Sequence, residues 1–356
     1  MRFFHSARRR AGHRNDYSKR FDSSTKRCKH QETPSDVRGE NDLVEKVNTH
    51  KYRRRLKGTC REHTFLYEHL RLCFEKNSNE KELINDIIVE IFKCEGNLQS
   101  IFSILLPSHV MRNAYHINNN IHVLYPGLKA KVRRKGLCEA FEYYLRFICQ
   151  SSDLTSQASN AGILNREFDV GQSFTPLLAA TMRRDPELVL LLLRHGADPF
   201  HCVQGSDIAS YCDPIENLIE GLNSITMFKN SEFSQSTKEA LSDEEGRGML
   251  CLEYFFRATH RICVTESLEF RPQEHVEDEE NLSPTPGGKV YHLHPGLARC
   301  LDMSLMSGPR SLQHQSRCLI RRSLQRKCTF TCSLPDLISS LPLPKHIKRY
   351  LDLLCD

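Results

Sequence analysis

Leu341-Pro342-Leu343-Pro344 leaves the chain fewer choices than any other stretch of its 356 residues. Each proline fixes its own φ and pushes the residue before it out of the α region, so the tetrapeptide must be extended. Upstream of it, Leu312, Ser316, Leu319, Ile320 and Leu324 recur at helical spacing, which sets them on one face of a helix while Arg317, Arg321 and Arg322 fall largely elsewhere. Leu334 to Ile338 fits a short second helix. Pro344 suits the first position of a third, Lys345 to Leu354, in which Ile347, Tyr350, Leu351 and Leu354 repeat at helical intervals. Ser311 to Asp356 therefore reads as three short helices around a rigid elbow. Units below about 40–60 residues bury too little to stand alone, so this one has to lean on something.

A second stretch, Phe174 to Pro199, is nearly as explicit. Thr175 is placed to hydrogen-bond at a helix entry, Pro176 is tolerated in a first turn, and Leu177 begins the apolar side. Ala179 and Ala180 are small where two helices must approach. Asp185-Pro186-Glu187 turns the chain, and Leu188 to Leu193, which includes Leu192 and Leu193, is apolar nearly all round and so belongs between layers. Gly196, ahead of Ala197 and Asp198, supplies the left-handed residue that stops the helix. His195 is expected to bond neighbouring backbone in that turn.

One such helix pair needs neighbours on both faces, and about three layers make a stable stack. Upstream candidates are a hairpin, with Asn79 and Glu82 as a capping box before Leu83, Ile84, Ile87, Ile88, Ile91 and Phe92. Gly96 ends that helix. Asn97 is placed to cap a second, Leu98 to Leu106, which Pro107 closes. Leu137, Phe141, Tyr144, Leu145 and Ile148 give another helical stripe, with a further helix near Ile163. Downstream, Gly205 to Ala209 followed by Ile215, Leu218, Ile219 and Leu222 reads as a degenerate successor.

The Thr-Pro-Leu opening, paired alanines, leucine run and Gly-Ala-Asp ending resemble one ankyrin repeat, with Leu178 where histidine is usual. The C-terminal unit resembles the SOCS box. Ser311, Leu312, Ser316 and Ile320, with Leu319 beside them, stand at the positions of that family's elongin-binding motif, Ser316 replacing the usual cysteine. A buried hydroxyl there would cost roughly 1 kcal/mol if unpaired. Ile338, Leu341, Pro342, Leu343, Pro344, Ile347, Tyr350 and Leu351 fill its cullin-binding motif without a gap. The resemblance implies an ankyrin repeat and SOCS box protein, a non-catalytic substrate adaptor of a ubiquitin ligase. Its partners would be elongin B/C, cullin-5 with its RING-box subunit, and an unknown protein substrate held by the ankyrin region. The expected fold is mainly α: a disordered basic arm at 1–58, a degenerate ankyrin stack at 59–226 with its clear repeat at 174–199, a linker and helical extension with flexible insertions at 227–306, and the SOCS box at 307–356.

Composition narrows the alternatives. The net charge is +6, and Arg8-Arg9-Arg10, Lys26-Arg27-Cys28-Lys29 and Arg53-Arg54-Arg55 concentrate positive charge in the arm. A basic nucleic-acid-associated protein is one competing reading, but no aromatic residues interleave with those clusters as stacking platforms would. A plain ankyrin scaffold capped by its own tail is the other. Ser231 to Arg247 reads as a polar linker, and the stretch around Glu277-Asp278-Glu279-Glu280 as a flexible insertion. No apolar run reaches the ~18–20 residues of a membrane span and the basic N-terminus lacks a following apolar segment, which points to the cytoplasm, with the nucleus open. The 15 cysteines and 17 histidines are scattered, His292 and His294 near Cys300 included. No nucleotide-binding, zincin or serine-hydrolase motif occurs. No catalytic residue, metal or cofactor is assigned.

Overall fold

The computed structural model describes residues 45–51, 64–96, 98–106, 124–125, 134–150, 162–169, 173–201, 213–229, 235–260, 262–266, 290–298, 311–327 and 333–355. The basic clusters of the arm, Asn97, most of 108–133, Gly205 to Ala209, Cys300 and the acidic run Glu277 to Glu280 lie outside them. The described chain is mainly helical, a stack of helix pairs followed by three short C-terminal helices.

Helix α1 (45–51) precedes the α2 (Thr64–Glu75)/α3 (Lys81–Glu95) hairpin. It falls inside the segment expected to be a disordered arm, and it is held there by buried Val47 and His50. A single valine carries no periodic signal, and the pairing of His50 with Glu90 is polar, so neither is visible as a hydrophobic pattern. The stripe of α3 is buried as its spacing requires, and Gly96 ends the helix at φ 74° with its N–H on the Phe92 carbonyl. The capping box does not form: Glu80 is the N-cap residue and makes no side-chain cap bond. Instead the Ser78 hydroxyl accepts from the Glu80 N–H at 3.3 Å. Helix α4 (Gln99–Phe102) and a 3-10 turn (Ser103–Leu105) follow, and the Glu95 carboxylate accepts from Ser100 N–H at 3.2 Å. Glu95 also accepts from the Tyr67 and Ser100 hydroxyls. Burial drives its carboxyl above the ordinary range, and those hydrogen bonds oppose that rise.

Helix α5 (Arg134–Gln150) packs on α2 and α3 through Phe141, Tyr144, Leu145 and Ile148. A 3-10 turn (Ile163–Asn165) leads to a two-residue antiparallel ribbon, β1 (Phe168–Asp169) with β2 (Ser173–Phe174). Helices α6 (Pro176–Met182) and α7 (Pro186–Arg194) form the clear repeat. Thr175 accepts from Leu178 N–H at 3.2 Å and Asp185 from Leu188 N–H at 3.4 Å, so each helix has a side-chain N-cap with proline behind it.

Helix α8 (Pro214–Lys229) lies on α6, and α9 (Gln235–Ala258) lies on α7, so the second pair stacks on the first as successive repeats do. Here the expected linker from Ser231 to Arg247 is corrected: residues 235–247 are the first half of α9. That half is fixed by polar contacts, Arg184 to Glu244 at 2.9 Å and Thr226 to Glu245 at 3.3 Å, while Cys251, Leu252 and Phe255 bury the second half. A helix with its apolar stripe confined to one end reads as a loop over the other. Strands β3 (Cys263–Glu266) and β4 (Val290–Leu293) pair in parallel, and α10 (Pro295–Ala298) closes the stack. No helix among the described residues is long and apolar enough to cross a membrane.

Candidate functional site

The C-terminal module is built from α11 (Leu312–Lys327), α12 (Leu334–Ser340) and α13 (Lys345–Leu351). Its own core is small: Leu334, Ile338 and Leu351, with Leu324, Leu341, Ile347 and Tyr350 packed against them. Ser311 caps α11, accepting from His314 N–H at 3.2 Å. Pro342 to Pro344 form the elbow, and the Lys348 ammonium donates to the Ser339 carbonyl at 2.7 Å across it. Pro344 is extended, with ψ 149°, and stands at the N-cap position rather than inside α13. The third helix stops at Leu351, short of the expected Leu354, because Leu353 turns left-handed at φ 64° and inserts into the main core.

Helix α11 is inverted relative to an ordinary surface helix. Its apolar side faces solvent: Leu312 is 79 % exposed, Leu319 66 % and Ile320 39 %, with exposed Ser316 between them. Its polar side, His314, Arg317 and Arg321, is buried. Arg321 donates to the Leu351 carbonyl at 2.7 Å, to the Leu193 carbonyl at 2.7 Å and to the Arg194 carbonyl at 3.4 Å, joining the end of α13 to the end of α7. Burial lowers its guanidinium pKa to about 10. Arg317 lies over the Tyr350 ring at 4.3 Å and donates to the Cys355 carbonyl at 3.4 Å. Gln325 donates to the Gly196 carbonyl at 2.7 Å.

Ion pairs extend the junction. Arg194 binds Asp352 at 2.7 Å and Glu142 at 3.1 Å. Burial works against that guanidinium, and the hydrogen bonds to Asp352 and Glu142 outweigh it, so its pKa stands above the ordinary value. Gln150 donates to Asp336 at 2.9 Å. His195 is buried here, but neither ring nitrogen has a hydrogen-bond partner, contrary to the expectation that it would bond backbone. Burial first, then the neighbouring Arg194 charge, lowers its pKa to about 3, so the ring is neutral.

The sequence-derived site residues divide accordingly. Leu312, Ser316, Leu319 and Ile320 share one open face, and Pro342, Leu343 and Pro344 are exposed at the elbow. Leu341, Ile347 and Tyr350 are half-buried, and Leu351 is in the module's core. Within the ankyrin signature Thr175, Pro176, Leu177, Ala179, Ala180, Leu192, Leu193 and Ala197 are buried, Gly196 takes φ 94°, and only Asp198 is exposed. Those residues build the repeat and leave recognition to others. Sequence reasoning missed the clamp of Arg321, Gln325, Arg194, Asp352 and Leu353. Its one legible sign is the spacing of His314, Arg317 and Arg321 at three and four, a polar stripe opposite the leucines.

The sequence model of the SOCS box family matches residues 308–352. Among curated proteins, ankyrin repeat and SOCS box protein 18 of Homo sapiens is 32 % identical over 101 residues, 28 % of this chain and 17 % of that protein. The match thus spans less than a fifth of the relative's length. No solved structure matches. Residues 308–352 are thus similar to a SOCS box, and the helix pairs before them stack on one another as ankyrin repeats do.

Proposed function

We propose that the chain is a substrate-recognition adaptor of a cullin-RING ubiquitin ligase, docking elongin B/C on α11 and cullin-5, with its RING-box subunit, on the Leu341–Pro344 elbow, while the ankyrin stack holds a protein substrate. The observation that carries this is the inverted helix: Leu312, Leu319 and Ile320 lie open on one face of α11 while the arginines opposite are buried. A monomer gains nothing from that arrangement, since exposed leucines forgo about 1.5–3 kcal/mol each on burial. A partner that covers them gains it. The chain itself performs no chemistry in this role; it raises the local concentration of substrate lysines beside the conjugating enzyme. Such an adaptor works in the cytoplasm or nucleus.

The plain-scaffold reading also has an observation behind it, because the module packs on the stack through Arg321 and Arg194 as a cap would. It leaves the open leucine face without a purpose. The test is the affinity of the purified chain for elongin B/C. Leu312→Ala should weaken it by roughly tenfold to a hundredfold, the burial energy of one leucine, and leave the thermal midpoint unchanged. Alanines at Leu341 to Pro344 should abolish cullin-5 binding with elongin retained. Equal elongin affinity for wild type and Leu312→Ala would overturn the assignment.

A further inference from the structure

Far from the C-terminal module, α1 and the last turn of α3 bring a thiol, an imidazole and a carboxylate into line. Cys94 Sγ lies 3.7 Å from His50 Nε2, and His50 Nδ1 lies 3.4 Å from Glu90 Oε2. His50 and Glu90 are buried, whereas Cys94 as a residue is part-exposed. Lys93 Nζ stands 3.6 Å from the other Glu90 oxygen, and Phe65 packs edge-on against the imidazole. At 3.4 Å the Glu90 carboxylate is an electrostatic neighbour of Nδ1 rather than a hydrogen-bond acceptor. Its negative charge favours the proton on that nitrogen, which leaves the Nε2 lone pair on the side of the sulfur, as in a nucleophile paired with a base and a third group.

Cys318 provides the contrast within the same chain. It too lies near an imidazole, 3.5 Å from His314 Nε2. That nitrogen is 2.8 Å from the Thr259 carbonyl, and His314 Nδ1 faces the Arg317 guanidinium at 3.0 Å. The carbonyl therefore keeps the proton on Nε2, and His314 has no lone pair to offer Cys318. Cys138 faces a carboxylate, Glu187 at 3.3 Å, which disfavours a thiolate.

We propose that Cys94 is a reactive thiol whose oxidation by hydrogen peroxide is promoted by His50 and Glu90. The position of Cys94 in the last turn of α3, where the helix dipole disfavours a standing anion, makes His50 a base that acts as the bond forms. His50 Nε2 takes the thiol proton while sulfur attacks one peroxide oxygen. The S–O bond forms, the O–O bond breaks, and the departing hydroxide takes the proton from His50 and leaves as water. Cys94 is oxidised to a sulfenic acid and the peroxide is reduced.

The full-length chain would be exposed to limiting hydrogen peroxide in the presence of a cyclic 1,3-dione that traps sulfenic acids, and each cysteine's labelling rate followed by peptide mass spectrometry. Cys94 should be labelled roughly tenfold or more faster than Cys138, Cys149 and Cys355, which are similarly part-exposed. His50→Gln should reduce the rate at Cys94 by about tenfold or more and leave Cys138 unchanged, and Glu90→Gln should reduce it severalfold. Labelling of buried Cys73 and Cys251 would reveal any variant that has lost its fold, in which case the wild-type ranking decides. Wild-type Cys94 reacting no faster than Cys138, or a folded His50→Gln chain reacting like wild type, would overturn the proposal.

Discussion

Replacing Arg321 with alanine tests whether the SOCS box is locked onto the repeat or merely tethered to it. The guanidinium makes two bonds of 2.7 Å, to the carbonyls of Leu351 and Leu193. Hydrogen bonds from a charged donor contribute about 1.5–3 kcal/mol each, for a gross loss of about 3–6 kcal/mol. Against this stands the cost of burying the charge, which is substantial because burial lowers the Arg321 pKa to about 10. Removing a buried charge is sometimes neutral when an apolar side chain fills its place. Here the acceptors would remain, the Leu351 carbonyl and the Leu193 carbonyl, of which the second keeps the Gly196 N–H at 3.1 Å. The net loss is therefore about 2–4 kcal/mol, a roughly thirtyfold to several-hundredfold rise in local opening. Amide hydrogen exchange reads it directly. Protection in α11 and α13 should fall by that factor while α2 and α3 keep theirs, and Arg322→Ala, on the exposed side, should change nothing. Unchanged protection in α13 would refute the clamp, and uniform loss across α2 and α3 would mean that the module is part of one cooperative unit with them.

Two further outcomes follow from the same junction. An unfolded chain protonates His195 near its ordinary value of 6.5, whereas the folded chain does so only near 3. Its contribution to stability is thus complete above pH 6.5 and is lost as pH falls toward 3, amounting to about 1.4 kcal/mol by pH 5.5. Urea midpoints at pH 7.5 and 5.5 should show this drop in wild type and a smaller one in His195→Gln; equal slopes would remove His195 as the cause. Gly196→Ala combines a left-handed φ of 94° with a Cβ 2.9 Å from Gln325 Nε2. It should destabilise the chain by about 1–2 kcal/mol in the same urea titration, and Gln325→Ala should relieve part of that loss. A Gly196→Ala chain as stable as wild type would show that the turn relaxes freely.

How much of this was legible depends on what kind of contact holds each element. The pair α6/α7 was readable because its determinants are local: Thr175 and Asp185 cap their own helices, and Leu188 to Leu193 announce a helix buried on several sides. The elbow was readable because two prolines dictate backbone directly. Helix α1 and the first half of α9 were not, since His50–Glu90, Arg184–Glu244 and Thr226–Glu245 join residues 40, 60 and 19 positions apart and leave no periodic mark. Spacing puts Leu312, Ser316, Leu319 and Ile320 on one open face of α11, whereas Leu324, expected with them, packs on the module's core; periodicity is silent about which side turns inward. Leucines in phase ordinarily mean core; here the buried stripe is His314, Arg317 and Arg321.

That inversion has a structural logic. A helix that reserves its apolar face for a partner must adhere to its own chain by the other face, and a polar face finds complementary groups only where backbone is left unsatisfied. Helix C-termini provide them, because their last carbonyls lack intrahelical donors and carry the negative end of the dipole. Arg321 reaches the ends of α7 and α13 at once, Gln325 takes the carbonyl of Gly196 just past α7, and Arg317 takes that of Cys355 just past α13. The same side chains that leave Leu312 and Leu319 open therefore cap one helix of the repeat and one of the module. Apolar surfaces tolerate sliding, whereas donors aimed at fixed carbonyls define one orientation. The open leucine face and the repeat are consequently held at a set angle, and the adaptor role we propose would use that fixed angle to present a substrate in a constant position.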